Sequence, residues 1–549
     1  MKSKSMKKVL ALFCVGVMSC GLLAGCGGNG GNEKVDNTVE DTKNLKIMLY
    51  AKGYGTTWLE KAAEAFEAKH EGVDVSINLV NSADVMKADI KNTEYCDTDL
   101  YFDISPVGGH GLVSELKQAY NNGQAMRELT YLYDSEIPGE GVTLGEKMND
   151  SLRKSSVVGG RTTDDESDDT YYFIPYVTGA MNLYYNETVI DNVLGAGNWE
   201  VPNTSDELLA LCKRLAEKES YIMLPGALDQ WASSVYLSWW AQYEGIENYT
   251  KFYEGIGYDT TKNREVEQSS LIFKQQGRLA ALEASSALLG YENGYTLKNS
   301  AQINVNNLNE YQTRFTLAKN NYALYPCGDW LMQELANNST IEADSVIKMM
   351  KTPVLSSVIN AVDGYSSEQT KRLPNVTSDE ILSQVIDYVD GNGELPAGVT
   401  EEEVAYVKEA RNMVGSKALE HIIYAPAFSN AKTLADEFIL FLASDEGIQI
   451  LKDNCAGGFA PYDYEYTELS TTEQSVHEAC KEAVYVDDFN YTPLFYSAGV
   501  KALSNGTSDT LDAMLCKPNG MTAEEIHQSF IDAYSGVKWD GYLDKIATE

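Results

Sequence analysis

The chain has 549 residues, more than one hydrophobic core serves, so two or more domains are expected. Its 43 basic and 81 acidic side chains leave a formal net charge of −38 at pH 7. A surface that acidic repels nucleic acid and anionic polymers, whereas a neutral ligand is indifferent to it.

The first residues read as an address. Lys2, Lys4, Lys7 and Lys8 form a positive region ahead of the apolar stretch "VLALFCVGVMSCGLLAG". That stretch is too short and Gly-rich for a membrane span, and a polar run follows at once. Residues 1–25 are therefore expected to be a signal peptide. Leu23, Ala24, Gly25 and Cys26 resemble the bacterial lipobox, which implies cleavage before Cys26 and a lipid on its sulfur. Residues 26–44 are rich in Gly, Asn and acidic side chains and read as a flexible tether. With the four leader lysines removed, 39 basic and 81 acidic side chains remain, a net charge of −42.

From residue 45 strands alternate with helices, the pattern of an α/β fold. "LKIMLYA" (45–51), "VDVSINLV" (73–80) and "DLYFDIS" (99–105) read as strands of a parallel sheet. Between the first two, Thr57 and Glu60 have capping-box spacing, and Leu59, Ala62, Ala63 and Phe66 share one helical face. The acidic run "DDESDD" (164–169) reads as an exposed loop; no EF-hand spacing supports calcium there. "YYFIPY" (171–176), "AMNLYYN" (180–186) and "YIMLPG" (221–226) are strand-like. Thr204 and Glu207 form a second capping box, ahead of a stripe of Leu208, Leu209, Cys212 and Leu215. A polar and aromatic helical region fills 228–320. In "YPCGDWLMQEL" (325–335) Asp329 is expected to cap a helix, putting Trp330 on its first turn, where a large ring can face a cleft. Segment 356–420 reads as a polar elaboration with short helices. Leu434, Ala435, Phe438, Phe441 and Leu442 mark another helix, and Ser444 is placed to cap the next.

Six cysteines remain in the body, Cys96, Cys212, Cys327, Cys455, Cys480 and Cys516, without a CxxC spacing that would suggest zinc. Disulfides and buried thiols both stay open. The motifs GxSxG, HExxH, GxGxxG and the P-loop are absent, and the five histidines (His70, His110, His421, His477, His527) lie far apart in sequence. A glycosidase needs only two carboxylates, so a surface hydrolase or lyase remains a rival reading. Aromatic surplus is the positive signal: 35 Tyr and seven Trp, several beside turns or polar residues. Flat rings stack on the C–H faces of sugars, while Asp, Glu, Asn and Lys bond the hydroxyl edges.

In order, "IMLYAKGYGTTWLEKAAEAFEAKHEGVDVSI", "DLYFDIS", "YFIPYVTGAMNLYYNETVI", "VPNTSDELLALCKRLA", "ALYPCGDWLMQEL" and "LADEFILFLASDEGIQIL" resemble the extracellular solute-binding proteins of bacterial carbohydrate ABC importers, the maltose-binding-protein-like family 1. The resemblance covers most of 45–549, with 356–420 its poorest part. It implies a two-lobed, type II periplasmic-binding-protein-like fold with a hinge and an interlobe ligand cleft. Lobe 1 would comprise 45–170 plus 356–470, and lobe 2 would comprise 171–355 plus 471–549. The implied protein is a monomeric receptor, not an enzyme and without cofactor or metal. It would be lipid-anchored outside the cytoplasm and would deliver an oligosaccharide or other sugar to membrane permease subunits. The matching positions give Lys52 and Tyr54 after the first strand, Asp103 and Ser105 at the end of "DLYFDIS", and Tyr176 in "IPYVTG". They also give Asp229 and Trp231 in "LDQWASS", Asp329 and Trp330 in "CGDW", and Phe495 or Tyr496 in "LFYSAG". Some relatives place an aromatic ring where Asp103 and Ser105 stand. Asp103, Asp229 and Asp329 also leave room for a peptide or polyamine ligand on the same scaffold.

Overall fold

The computed structural model describes residues 39–91, 96–104, 108–119, 125–158, 169–222, 229–296, 308–337, 344–488, 493–496, 498–504, 511–515 and 520–547. The strands are β1 (Asn44–Tyr50), β2 (Asp74–Val80), β3 (Leu100–Phe102), β4 (Ile174–Pro175), β5 (Ala180–Asn186), β6 (Tyr221–Ile222), β7 (Gly257–Asp259), β8 (Arg264–Val266), β9 (Tyr322–Gly328), β10 (Ile347–Met349), β11 (Met413–Ser416), β12 (Ile422–Tyr424) and β13 (Val484–Val486). They form two main sheets. The first has the order β2-β1-β3-β12-β4; the second runs β13-β11-β5-β9-β6, with β10 also paired to β5. As expected, β1, β2 and β3 are parallel, whereas β12 joins antiparallel.

Each sheet is covered by helices whose apolar stripes it buries. Over the first sheet, helix Thr57–Lys69 buries Leu59, Ala62, Ala63 and Phe66, and Phe66 meets Phe438 edge to face at 5.2 Å. Ser444 caps helix Asp445–Asn454, accepting from Gly447 N at 3.2 Å. Thr204 and Glu207 close the second capping box as read. The first box is different: Thr56 precedes the helix and makes no side-chain cap bond, so Thr57 is already inside it. On the second sheet, helix Asp229–Glu244 carries Trp239 and Trp240 into the core. Trp240 meets Tyr249 and Phe252 edge to face, both at 4.7 Å. The 228–320 region also carries the β7–β8 hairpin, which its polar composition did not disclose.

Segment 356–416 sits with the second sheet, not with the first lobe as expected. Gln242 donates to Ala410 O and accepts from Leu355 N, and β11 pairs with β5 and β13. The chain changes sheets between β4 and β5, returns between β11 and β12, and crosses a third time between β12 and β13. The first two crossings run side by side: Tyr176 N donates to His421 O, and Lys417 N donates to Gly179 O. Gly179 has φ +52°, and a Cβ there would lie 2.7 Å from Lys417 C and Ala418 N. Only glycine permits both the left-handed turn and that approach.

Cys96, Cys212, Cys327, Cys455 and Cys480 are free thiols; Cys516 lies outside the described residues. Among the described residues no helix is long and apolar enough to cross a membrane.

Candidate functional site

Four stretches far apart in sequence meet where the chain crosses between the sheets. The loop after β1 brings Tyr54, the end of β3 brings Asp103, the residue after β4 is Tyr176, and the turn after β9 brings Asp329 and Trp330. All five were singled out by the sequence, and the structure gathers them around one residue that was not, His421, just before β12. The Tyr54 ring meets His421 edge to face at 4.8 Å, and Trp330 and Tyr176 each lie 6.2 Å from it. Nothing in "LEHIIY" separates His421 from an ordinary strand-entry residue.

Polar bonds fix this cluster. Asp329 accepts from the Tyr54 hydroxyl, from Thr178 Oγ1 at 2.9 Å and from Ala180 N at 3.1 Å. This corrects the expected capping role: the helix runs Leu331–Asn337, and the carboxylate serves the crossing segment instead. Burial pushes the Asp329 carboxyl up to about 6, against the three hydrogen bonds that pull it down. Burial, and then the neighbouring Asp329 charge, keep the Tyr54 hydroxyl protonated. Tyr176 donates to Asp103 Oδ2 at 3.0 Å and stacks on Trp58 with centroids 5.1 Å apart. Asp103 has φ +61°, an uncommon conformation for a residue with a Cβ, of the sort that clusters at binding sites.

Trp330 is packed more closely than a free platform. A Cβ at Gly53 would lie 2.9 Å from its Cβ and Cγ, and one at Gly328 would lie 2.1 Å from Cζ3. The two glycines let backbone lie against both parts of the side chain. Trp330 is 8% exposed, Tyr176 5% and Tyr54 1%. In this structure the rings line a closed junction, not the open platform the sequence suggested. A shallow surface groove lies elsewhere, between helix Thr57–Lys69 and β2, and none of the predicted site residues lines it.

Charge surrounds the second crossing. Lys52 Nζ donates to Glu420 O at 2.9 Å. Lys417 Nζ lies 3.0 Å from Glu420 and 3.7 Å from both Asp487 and Asp488. Burial opposes the Lys417 charge, but those carboxylates outweigh it and raise the ammonium well above its usual range.

The other expected residues do not join. Phe495 packs in the second core against Phe252 and Tyr253, both at 5.2 Å, because its short helix docks on the helix that carries them. Asp229 and Trp231 begin helix Asp229–Glu244, and Tyr496 ends Pro493–Tyr496; the side chains of all three lie outside the described set. Ser105, Cys26 and positions 164–168 of the acidic run lie outside the described residues altogether.

A pair of sheets joined by adjacent crossings, with the polar and aromatic cluster at the join, can be compared with known proteins. Residues 52–317 match the model of the bacterial extracellular solute-binding protein family. Over those residues the chain is similar to that family. Among solved structures, apo RafE from Streptococcus pneumoniae has a TM-score of 0.52 at 12% identity, covering 90% of this chain and 99% of that one. A chitin oligosaccharide binding protein has a TM-score of 0.53 at 14% identity, covering 92% of this chain and 100% of that one. A probable secreted solute-binding lipoprotein from Streptomyces coelicolor gives 0.53 at 13%, with 90% and 100% covered. At such identities the likeness is one of fold: mixed α/β, in the two-lobed form of solute-binding proteins. No curated protein matches the chain in sequence. The family and these structural relatives are binding proteins, not enzymes.

Proposed function

We propose that this chain is the substrate-binding component of an ABC importer, capturing an oligosaccharide or other sugar between two lobes and delivering it to a membrane permease. The observation that carries the reading is the convergence of Tyr54, Tyr176 and Trp330 with Asp103 and Asp329 where the chain crosses between the sheets. Rings for C–H faces, with polar groups beside them, are what a neutral glycan requires. Relatives of the same fold include RafE in complex with raffinose and a chitin oligosaccharide binding protein.

The lobes divide by sheet membership in this reading, so segment 356–416 goes with the second lobe. Hinge motion at 176–179 and 417–421 opens and closes the cleft, and the closed form is what the permease recognises. Residues 1–25 are removed, Cys26 carries the lipid, and the tether to residue 44 holds a monomer outside the cytoplasm.

A thermal-shift screen against oligosaccharides tests this, because a ligand held only by the folded state raises Tm. At one hundred times Kd the stabilisation is about 2.7 kcal/mol. A sugar that raises Tm and is recovered unchanged supports the reading. Cleaved sugar makes the chain an enzyme, and a shift with peptides or polyamines alone replaces the ligand class.

A further inference from the structure

In the ring cluster the described hydroxyls and carboxylates are committed to protein partners, with one exception. Tyr54 and Thr178 donate to Asp329, Tyr176 donates to Asp103, and Lys52 is turned to the Glu420 carbonyl. The exception is the pair His421 and Asp103. His421 Nδ1 lies 3.3 Å from Asp103 Oδ1, within ion-pair reach, yet neither atom completes a hydrogen bond. His421 is 6% exposed and Asp103 1%, so both atoms are withheld from bulk water. The imidazole Nε2 makes no hydrogen bond among the described residues, and Tyr54, Tyr176 and Trp330 surround the ring.

Leaving such atoms unpaired is costly, and unpaired groups in a native fold call for a partner. Asp329 is less available, since its two oxygens already accept from three donors. Asp103 can: Oδ2 is taken by Tyr176, and Oδ1 faces the imidazole. A carboxylate that closes onto Nδ1 would hold the proton on that nitrogen and leave a lone pair on Nε2. Bonds of this kind are often long without ligand and tighten when it seats.

We propose that His421, oriented by Asp103, is the specificity-determining polar contact of the cleft, accepting a hydrogen bond at Nε2 from a hydroxyl of the bound sugar. This rests on the sugar-binding reading and adds the recognising atom. Asp103 is then a positioning residue.

Two measurements on the full chain test it. Nitrogen-15 NMR of the five histidine side chains, with His421 assigned from His421→Gln, reads the tautomer without ligand. The Nδ1–H form is expected, with the Nε2 resonance moving when the sugar that scores in the screen is added. The Nε2–H form in the wild type overturns the proposal. In calorimetry with that sugar, His421→Leu should weaken binding about tenfold or more. His421→Gln, which keeps a polar atom near Nε2, should stay within about threefold. Asp103→Asn should switch the imidazole to the Nε2–H form and weaken binding, while thermal unfolding shows each variant folded. Wild-type affinity in a folded His421→Leu overturns the contact but leaves sugar binding standing. Failure of every glycan to bind overturns both.

Discussion

The hydroxyl of Tyr54 donates to the carboxylate of Asp329, tying the loop after β1 in the first sheet to the end of β9 in the second. Both groups are buried, so the bond is made without competition from water.

Tyr54→Phe deletes that donor while keeping the ring beside His421. The expected loss is about 1–3 kcal/mol in urea denaturation, because Asp329 stays buried with one partner fewer. The Asp329 carboxyl should also rise above its present value of about 6, which carbon-13 NMR of labelled Asp would show.

Stability should fall as pH rises from about 4.5 towards 8. Burial lifts the carboxyls of Glu244, Glu254 and Glu334 to about 7. Each binds its proton more tightly folded than unfolded, so its contribution is fully present below the unfolded value and lost as pH climbs through the folded one. Glu244→Gln retains an acceptor for Gly277 N, which now bonds Oε1 at 2.7 Å. It should gain about 3 kcal/mol over the wild type at pH 8 and nothing at pH 4, read as Tm against pH.

Gly179→Ala should damage the paired crossings. Its φ of +52° and the 2.7 Å approach to Lys417 leave no room for a methyl group. A loss of about 1–3 kcal/mol is expected by chemical denaturation. Gly197→Ala, also at positive φ but with nothing within 4 Å of the added carbon, isolates the backbone part and should cost less.

Trp330→Ala should abolish the sugar-induced rise in Tm. It should also cost roughly 3–5 kcal/mol of stability, since the ring is packed against Gly53 and Gly328. Trp330→Phe keeps a ring and should restore part of both. Calorimetry well below Tm separates the two effects.

Thiol titration in denaturant should count Cys96, Cys212, Cys327, Cys455 and Cys480 as free without reductant. In the native protein they should react slowly. Burial lifts the Cys96 and Cys212 thiols to about 12, leaving little thiolate to attack the reagent.

Much of the cluster at the crossings was legible because aromatic and acidic residues beside strand ends announce themselves locally. Tyr54 follows β1, Asp103 follows β3, Tyr176 follows β4, and Asp329 with Trp330 follows β9. Phe495 carried the same local signal and proved to be core. A ring near a turn looks alike in sequence whether a neighbouring helix covers it or not.

Composition, charge, the leader pattern and local periodicity determined the α/β class, the helix stripes and most strands. These depend on residues within a few positions of one another, where the 3.6-residue and two-residue repeats act. Tertiary structure alone decided that 356–416 joins the second sheet and that Asp329 bonds Tyr54 instead of capping its own helix. It also decided that His421 and Asp103, 3.3 Å apart, come together at all. Such partnerships are set by sheet order and by the close passage of two crossing segments, and no local repeat encodes a neighbour hundreds of residues away.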